Sequence, residues 1–67
     1  MISVNGERSD VSAGQPVVAV LAKLQLPPDA RGVAVAVDGE VVPRALWRAL
    51  ELQDGARVEV LTAMQGG

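Results

Sequence analysis

The stretch that decides the fold is Val-Ala-Val-Ala-Val-Asp-Gly-Glu-Val-Val, at residues 33–42. Its first five residues alternate valine with alanine, which predicts a β-strand with a valine face and an alanine face. Asp38-Gly39 is a hairpin-turn signal, so the next three residues are predicted to return as a short second strand. Because alanine is small, its face leaves room for a helix or another strand to lie close by. Pro43 has no N–H to donate, so it stops strand pairing there unless the returning strand lies at a sheet edge.

The segments after this hairpin predict a short helical turn and a last strand. Residues 45–50 suit a single helical turn, and the Asp-Gly pair at residues 54–55 is a second turn signal. Residues 57–62 alternate again between apolar and other side chains, with Val58 and Val60 on one face. This alternation predicts a half-buried strand at the end of the domain.

The N-terminal part of the chain, before residues 33–42, is predicted to begin with another hairpin. Ile2 and Val4 alternate with polar residues, which is the pattern of a half-buried strand. Asn5-Gly6 is a tight-turn signal, so the chain is predicted to return after it. We place the returning strand at residues 10–12, around a valine.

Residues 16–25 predict the main helix. Pro16 suits the first helical position, because its missing N–H has no partner to lose there. The apolar side chains follow the i, i+3, i+4, i+7 stripe of an amphipathic helix and are Val17, Val20, Leu21 and Leu24. Valine is a mediocre helix former, so tertiary packing has to hold this segment.

The predicted elements occur in the order strand, strand, helix, strand, short strand, strand. That order corresponds to an α+β fold in which a mixed sheet of four to five strands packs on one main helix. Residues 1–62 are expected to form this domain. Residues 63–67 are expected to form a flexible C-terminal tail, because glycine loses more conformational entropy on ordering than other residues.

Composition argues against several classes of function. The 67 residues include no cysteine and no histidine, which removes disulfides, thiolate metal sites and the commonest general base. We therefore do not expect an enzyme, nor a metal or cofactor bound by the chain itself. The net charge of −2, with scattered cations, argues against nucleic acid or an anionic membrane as a partner. The sequence shows neither a membrane span nor a signal peptide, so we expect a cytoplasmic protein.

The end of the chain is the one region that suggests chemistry. No side chain in Met64-Gln65-Gly66-Gly67 is charged, so the only charge there is an α-carboxylate, which is ionised at neutral pH. Such an end suits a narrow channel, because only one charge has to leave water. A glycyl carboxylate can attack ATP, and a sulfur nucleophile can then displace AMP from the acyl-adenylate. An inert tail would have the same residues, so the tail alone leaves both interpretations open.

The chain closely resembles the ThiS family, the sulfur carriers of thiamine biosynthesis, over nearly its whole length and most strongly from Val35 to Gly67. The resembling features occur in the family's order and spacing, and they are Val42-Pro43-Arg44, Trp47, Asp54-Gly55 and Gln65-Gly66-Gly67. Two positions depart from the family pattern: Pro16 replaces a usual threonine cap, and Asp38 replaces a usual asparagine. The resemblance implies a ubiquitin-like β-grasp fold.

The resemblance also implies a reaction sequence and a set of partners. A ThiF-type enzyme would adenylate Gly67 with ATP and Mg²⁺, while Gly66, Gln65 and Met64 thread the partner's active site. A cysteine desulfurase system would supply sulfur to form a thiocarboxylate on Gly67. Thiazole synthase would then take up that sulfur. Two alternatives stay open: a carrier for another pathway, of the molybdopterin type, and a ubiquitin-like interaction or conjugation module.

Three further residues are candidates for a partner-facing surface. Leu61 alternates with an inward valine close to the tail, with burial at a sheet edge as the alternative. Trp47 belongs to a residue type enriched at binding hot spots, although a core with no other aromatic residue equally accounts for it. Arg44 suits either an acidic partner surface or solvent.

Overall fold

The computed structural model describes residues 1–63, in which five strands form one mixed sheet beside one α-helix. In chain order the elements are β1 (Ile2–Val4), β2 (Glu7–Ser9), α1 (Val17–Lys23), β3 (Val33–Val37), β4 (Glu40–Val42), a 3-10 turn (Arg44–Leu46) and β5 (Arg57–Thr62). This is the predicted mixed sheet on one main helix. Among the helices of the described residues, none is both long and apolar enough to cross a membrane.

The hairpin of β3 and β4 has the predicted bounds, but the helix packs on a different face of it than expected. Val35 is fully buried in the core with the apolar residues of α1, whereas Ala34 on the other face is exposed. The helix therefore packs on the valine face, and the expectation that the alanine face takes a packing element is wrong. Burial of a valine side chain removes more apolar surface from water than burial of an alanine, which favours this arrangement.

β5 is the central strand of the sheet. The strand order is β2-β1-β5-β3-β4, so β5 has a hydrogen-bonded neighbour on each side. It runs parallel to β1 and antiparallel to β3. Val58 and Val60 are buried and the other residues of β5 are exposed, which confirms the predicted alternation.

Two turn side chains hydrogen-bond to backbone N–H groups of β5. Val60 donates its N–H to the amide oxygen of Asn5 at 2.8 Å, beyond the point where β1 has ended. Arg57 donates its N–H to a carboxylate oxygen of Asp38 at 2.9 Å, at the other end of the strand. Both acceptor residues lie in Asx-Gly turns and have a positive φ of 53°, which asparagine and aspartate tolerate better than most residues. Each turn therefore also completes the bonding of the central strand.

The second strand of the N-terminal hairpin lies at Glu7–Ser9, and the prediction of residues 10–12 is wrong. A two-residue turn at Asn5-Gly6 pairs Val4 with Glu7, so the returning strand begins directly after the turn. The valine that suggested the later position, Val11, is buried in the core from the connection to the helix.

Helix α1 begins one residue later and ends two residues earlier than predicted. Pro16 is its N-cap, in an extended conformation and without a side-chain cap. The first helical N–H groups bond elsewhere: Val17 donates to the carbonyl oxygen of Leu50 at 3.1 Å, and Val18 donates to that of Trp47 at 3.0 Å. These carbonyls replace the missing side-chain cap, because the N–H groups of a helical first turn have no partner within the helix.

The segment after Pro43 forms a 3-10 turn at Arg44–Leu46 instead of a helical turn over residues 45–50. The turn brings Trp47 into the core, where its side chain is 2% exposed. Its indole N–H donates to the carbonyl oxygen of Val42 at 3.0 Å. This bond occupies an acceptor of the edge strand β4, and it satisfies a donor that would otherwise be buried without a partner.

Replacement of Asn5 tests the support that this turn gives to β5. In Asn5→Gly the positive φ stays unstrained but Val60 loses its acceptor, so we expect a loss of about 1–2 kcal/mol of unfolding free energy. Asn5→Asp keeps an oxygen at the same place and should stay close to the unmodified chain. Urea unfolding followed by Trp47 fluorescence measures both. Equal stability of the glycine and aspartate variants would contradict this account.

Candidate functional site

The candidate site begins where β5 ends. Thr62 is paired with Val33, and the N–H of Ala63 donates to the carbonyl oxygen of Gly32 at 2.6 Å. The backbone is therefore held to the neighbouring segment up to residue 63. The predicted site residues Met64, Gln65, Gly66 and Gly67 lie outside the described residues, and their roles stay predictions.

The sheet face turned away from the helix carries an apolar patch beside this point. Leu61 is 69% exposed and pairs with Ala34, while Val41 is 74% exposed and pairs with Ala36. We call these four residues the outer-face patch. The alternation that buries Val60 turns Leu61 outward, so the predicted exposure of Leu61 is confirmed, and its contact with a partner stays a prediction.

The outer-face patch continues into an open depression at the end of β5. The depression has a volume of about 390 Å³ and is lined by residues 32–34 and 61–63. Ala34 and Leu61 belong to both the patch and the depression. Sequence reasoning identified Leu61 but missed its three companions, although the valine-alanine alternation already placed both alanines on one face.

The other two candidate residues lie next to each other. Trp47 is buried and hydrogen-bonded in the core, which corrects its predicted partner-facing role: the tryptophan packs inside the domain. Arg44 is exposed, and its guanidinium lies 5.7 Å from the centroid of the indole ring, within the range of a cation–π contact. Arg44 thus covers Trp47, and whether it also meets an acidic partner stays a prediction.

Residues 1–63 provide packing and surface beside the end of β5. Over residues 1–63, no group of three or more acidic, histidine or cysteine side chains is placed to hold a metal ion. All buried residues in this range are apolar, and the indole N–H of the buried tryptophan is hydrogen-bonded. No buried side-chain polar atom of that range lacks a hydrogen-bond partner. The folded body formed by residues 1–63 presents the segment that follows β5.

The similarity to known proteins extends over nearly all of the sequence. A family model described as the ThiS family matches residues 2–67. The chain belongs to the ThiS family. This assignment confirms the resemblance to the ThiS family.

Two solved structures are similar to this ThiS-family chain. A crystal structure of thiamine biosynthesis protein ThiS from Geobacter metallireducens is 34% identical, with a TM-score of 0.73, and the match covers 98% of this chain and 97% of that one. A solution structure of a thiamine biosynthesis protein from the same organism is 32% identical, with a TM-score of 0.75 and coverage of 98% and 86%. The ubiquitin-like β-grasp fold is thereby confirmed.

A curated relative is much longer than this ThiS-family chain. A thiazole synthase of Paramagnetospirillum magneticum is 34% identical over 64 residues, which cover 96% of this chain but 19% of that protein. The chain therefore spans about a fifth of the length of the relative that it matches.

The same substitution at two adjacent positions on β5 should change the unfolding free energy by very different amounts. Leu61→Ser removes a largely exposed side chain, so the unfolding free energy should change by no more than about 0.5 kcal/mol. Val60→Ser leaves a hydroxyl in the core and removes buried apolar surface, so it should lose about 2–3 kcal/mol. Thermal unfolding of the two variants measures the difference. A large loss in Leu61→Ser would show that Leu61 supports the fold and would disqualify it as a docking residue.

Proposed function

We propose that this ThiS-family chain carries sulfur as a thiocarboxylate on Gly67 and donates it to thiazole synthase. The observation that carries the proposal is that the family match includes the Gly-Gly end, up to residue 67. The sequence contains no cysteine, so a thiol of the chain itself cannot hold the sulfur. Under this proposal residues 1–63 are the folded handle, and Met64, Gln65, Gly66 and Gly67 form the part that enters partner enzymes.

The proposed chemistry proceeds in two displacements that both involve the carboxyl group of Gly67, first as the nucleophile and then as the group attacked. A carboxylate oxygen of Gly67 attacks the α-phosphate of ATP, which is bound with Mg²⁺ by a ThiF-type enzyme, and pyrophosphate leaves. A cysteine desulfurase system supplies sulfur as a persulfide, and a thiol reductant releases it at the sulfide level. This sulfur nucleophile then attacks the acyl carbon, and AMP leaves with the original oxygen. The result is the exchange of one oxygen for sulfur. This use of ATP fits the cytoplasmic location expected from the sequence.

The folded body contributes position to this reaction. Four residues lie beyond Ala63, and an extended chain covers at most about 3.5 Å per residue. The distance from the end of the described chain to Gly67 is therefore at most about 14 Å. An enzyme that activates Gly67 must therefore approach the end of β5 closely. The outer-face patch lies there and presents apolar surface that a partner can cover. We assign this patch to docking of the adenylating enzyme.

The thiazole synthase of Paramagnetospirillum magneticum supports the choice of sulfur acceptor. Its match to this chain makes up 19% of its length, which leaves most of that protein for the activity in its name. A carrier-like segment in the same polypeptide as a synthase favours thiazole synthase as the partner of this chain. The same observation favours the thiamine pathway over a carrier of the molybdopterin type or a conjugation module.

The modification predicts a specific change in mass. Incubation with a ThiF-type enzyme, Mg²⁺-ATP and a sulfur donor should raise the mass of the chain by the difference between sulfur and oxygen. Fragmentation in a mass spectrometer should place the change on Gly67. The variant lacking Gly67 is the matched control and should keep its original mass.

Other outcomes of that experiment separate the alternatives. An unchanged mass with an adenylating enzyme that is active on another carrier would contradict the proposal. A product linked to a lysine through an isopeptide bond would instead indicate conjugation. Transfer of the sulfur to molybdopterin precursors, and none to thiazole synthase, would indicate the second carrier pathway.

The docking role of the outer-face patch predicts a defect that leaves the fold intact. Leu61→Asp should lower kcat/KM for adenylation about tenfold, because the change removes an apolar contact and introduces a charge that loses water on binding. Leu24→Asp is the control, since Leu24 is 40% exposed at the end of the helix, on the other side of the sheet. Equal rates for the two variants would exclude the patch as the docking surface.

A further inference from the structure

A second apolar concavity lies beside the edge strand β4. It has a volume of about 330 Å³, at the lower end of the range of about 300–1,000 Å³ typical of ligand clefts. Buried Val42 and Ala56 contribute to its lining, and its exposed apolar residues are Val41, Pro43, Leu46 and Leu50, of which Val41 also belongs to the outer-face patch. We call this concavity the β4 groove.

The β4 groove lies at the opposite end of the sheet from the tail. In the pairing of β3 with β5, Thr62 lies opposite Val33 and Val58 lies opposite Val37. The groove is lined by Val37, whereas the chain leaves the sheet beside Val33. Four residues of strand separate the two levels, which corresponds to about 13 Å. A segment bound at the Val37 end of the groove, over Leu46 and Leu50, would therefore leave the end of β5 uncovered.

The apolar surface of the β4 groove is held in place by backbone hydrogen bonds. Leu50 donates its N–H to the carbonyl oxygen of Leu46 at 2.8 Å, and its own carbonyl accepts the N–H of Val17 from the helix. Leu46 and Leu50 are nevertheless 47% and 37% exposed. Single exposed leucines are common, but two of them fixed side by side in a concavity are typical of an interaction site.

The charged residues that line the β4 groove have one sign. Its lining includes the carboxylates of Asp38, Glu40 and Glu51, and none of its lining residues is a lysine or an arginine. A cationic side chain brought to this rim is attracted, whereas a carboxylate is repelled. The groove therefore selects for an apolar group that has a positive charge beside it.

We propose that the β4 groove binds a segment of a partner protein that presents an apolar side chain next to lysine or arginine. The apolar side chain contacts Leu46 and Leu50, and the cation lies near Glu40 and Glu51. This binding does not depend on the sulfur chemistry of the tail. It gives a partner enzyme a grip on the folded body while the end of the chain remains free to enter an active site.

Peptide titration of the full chain tests this proposal. The probe is acetyl-Lys-Leu-Leu-Lys-amide, and its matched control is acetyl-Glu-Leu-Leu-Glu-amide. We expect the lysine peptide to shift the backbone amide signals of Leu46, Leu50 and Gln53 in ¹⁵N-correlated NMR spectra, with Ala34 and Leu61 unchanged. Raising the salt from about 0.1 M to about 1 M shortens the Debye length from about 10 Å to about 3 Å and should weaken binding at least threefold.

Variants separate the apolar and the charged parts of the β4 groove. Leu46→Ser should weaken binding of the lysine peptide about tenfold through lost apolar contact. The double variant Glu40→Gln, Glu51→Gln should weaken it roughly fivefold, as expected for exposed ion pairs. Glu59→Gln, on the outer face of β5, is the matched charge control and should bind unchanged. Fluorescence of the single tryptophan verifies that each variant is folded.

Several results would overturn the proposal. Equal binding of the glutamate peptide would remove the role of charge, and shifts confined to Ala34 and Leu61 would place the peptide on the outer-face patch. An absence of any shift at a peptide concentration of several millimolar would reject the groove as a site for such segments. Shifts that follow the concentration of the chain itself, without peptide, would make a second copy the occupant instead.

Discussion

The hydrogen bonding of β5 is the constraint on which the rest of the structure depends. β1 and β3 pair directly with this strand, and β2 and β4 join the sheet only through them. Where β1 has ended, the amide of Asn5 accepts the N–H of Val60, and the carboxylate of Asp38 does the same for Arg57. Because both edges of β5 are bonded, the place and direction in which the chain leaves the sheet are determined by the fold.

Residue alternation and turn motifs correctly predicted the strands whose pairing is set by residues close in the sequence. The valine-alanine alternation and the Asp-Gly turn determine β3 and β4, and their bounds are confirmed. β2 was misplaced because Glu7–Ser9 has no apolar side chain and is held as an edge strand by backbone pairing alone. The helix start and the burial of Trp47 depend on carbonyls that other segments bring close, and no local pattern reports such contacts. For the site, alternation predicted that Leu61 is exposed, but its neighbours on β3 and β4 follow only from the pairing.

The chain separates folding from chemistry to an unusual degree. Its core is aliphatic apart from one tryptophan, and the sequence has neither histidine nor cysteine. If the reacting group is the backbone carboxyl of Gly67, no side chain has to be buried with a shifted pKa for the reaction. The side chains are then available for packing and for contact with enzymes. Departures such as Pro16 are tolerated because backbone carbonyls of the segment after β4 bond the first helical N–H groups.

The size of the domain limits how partners can share it. A standard interface covers about 800 Å² on each partner, which is between a sixth and a fifth of the 4531 Å² accessible surface of this chain. Because Val41 belongs to both the outer-face patch and the β4 groove, two interfaces of that size would overlap there, so partners at the two surfaces would bind one after the other. A carrier also has to leave one enzyme before it serves the next. Partly exposed leucines with a charged rim suit that requirement, since they give recognition and fast association without the deep burial that makes complexes long-lived.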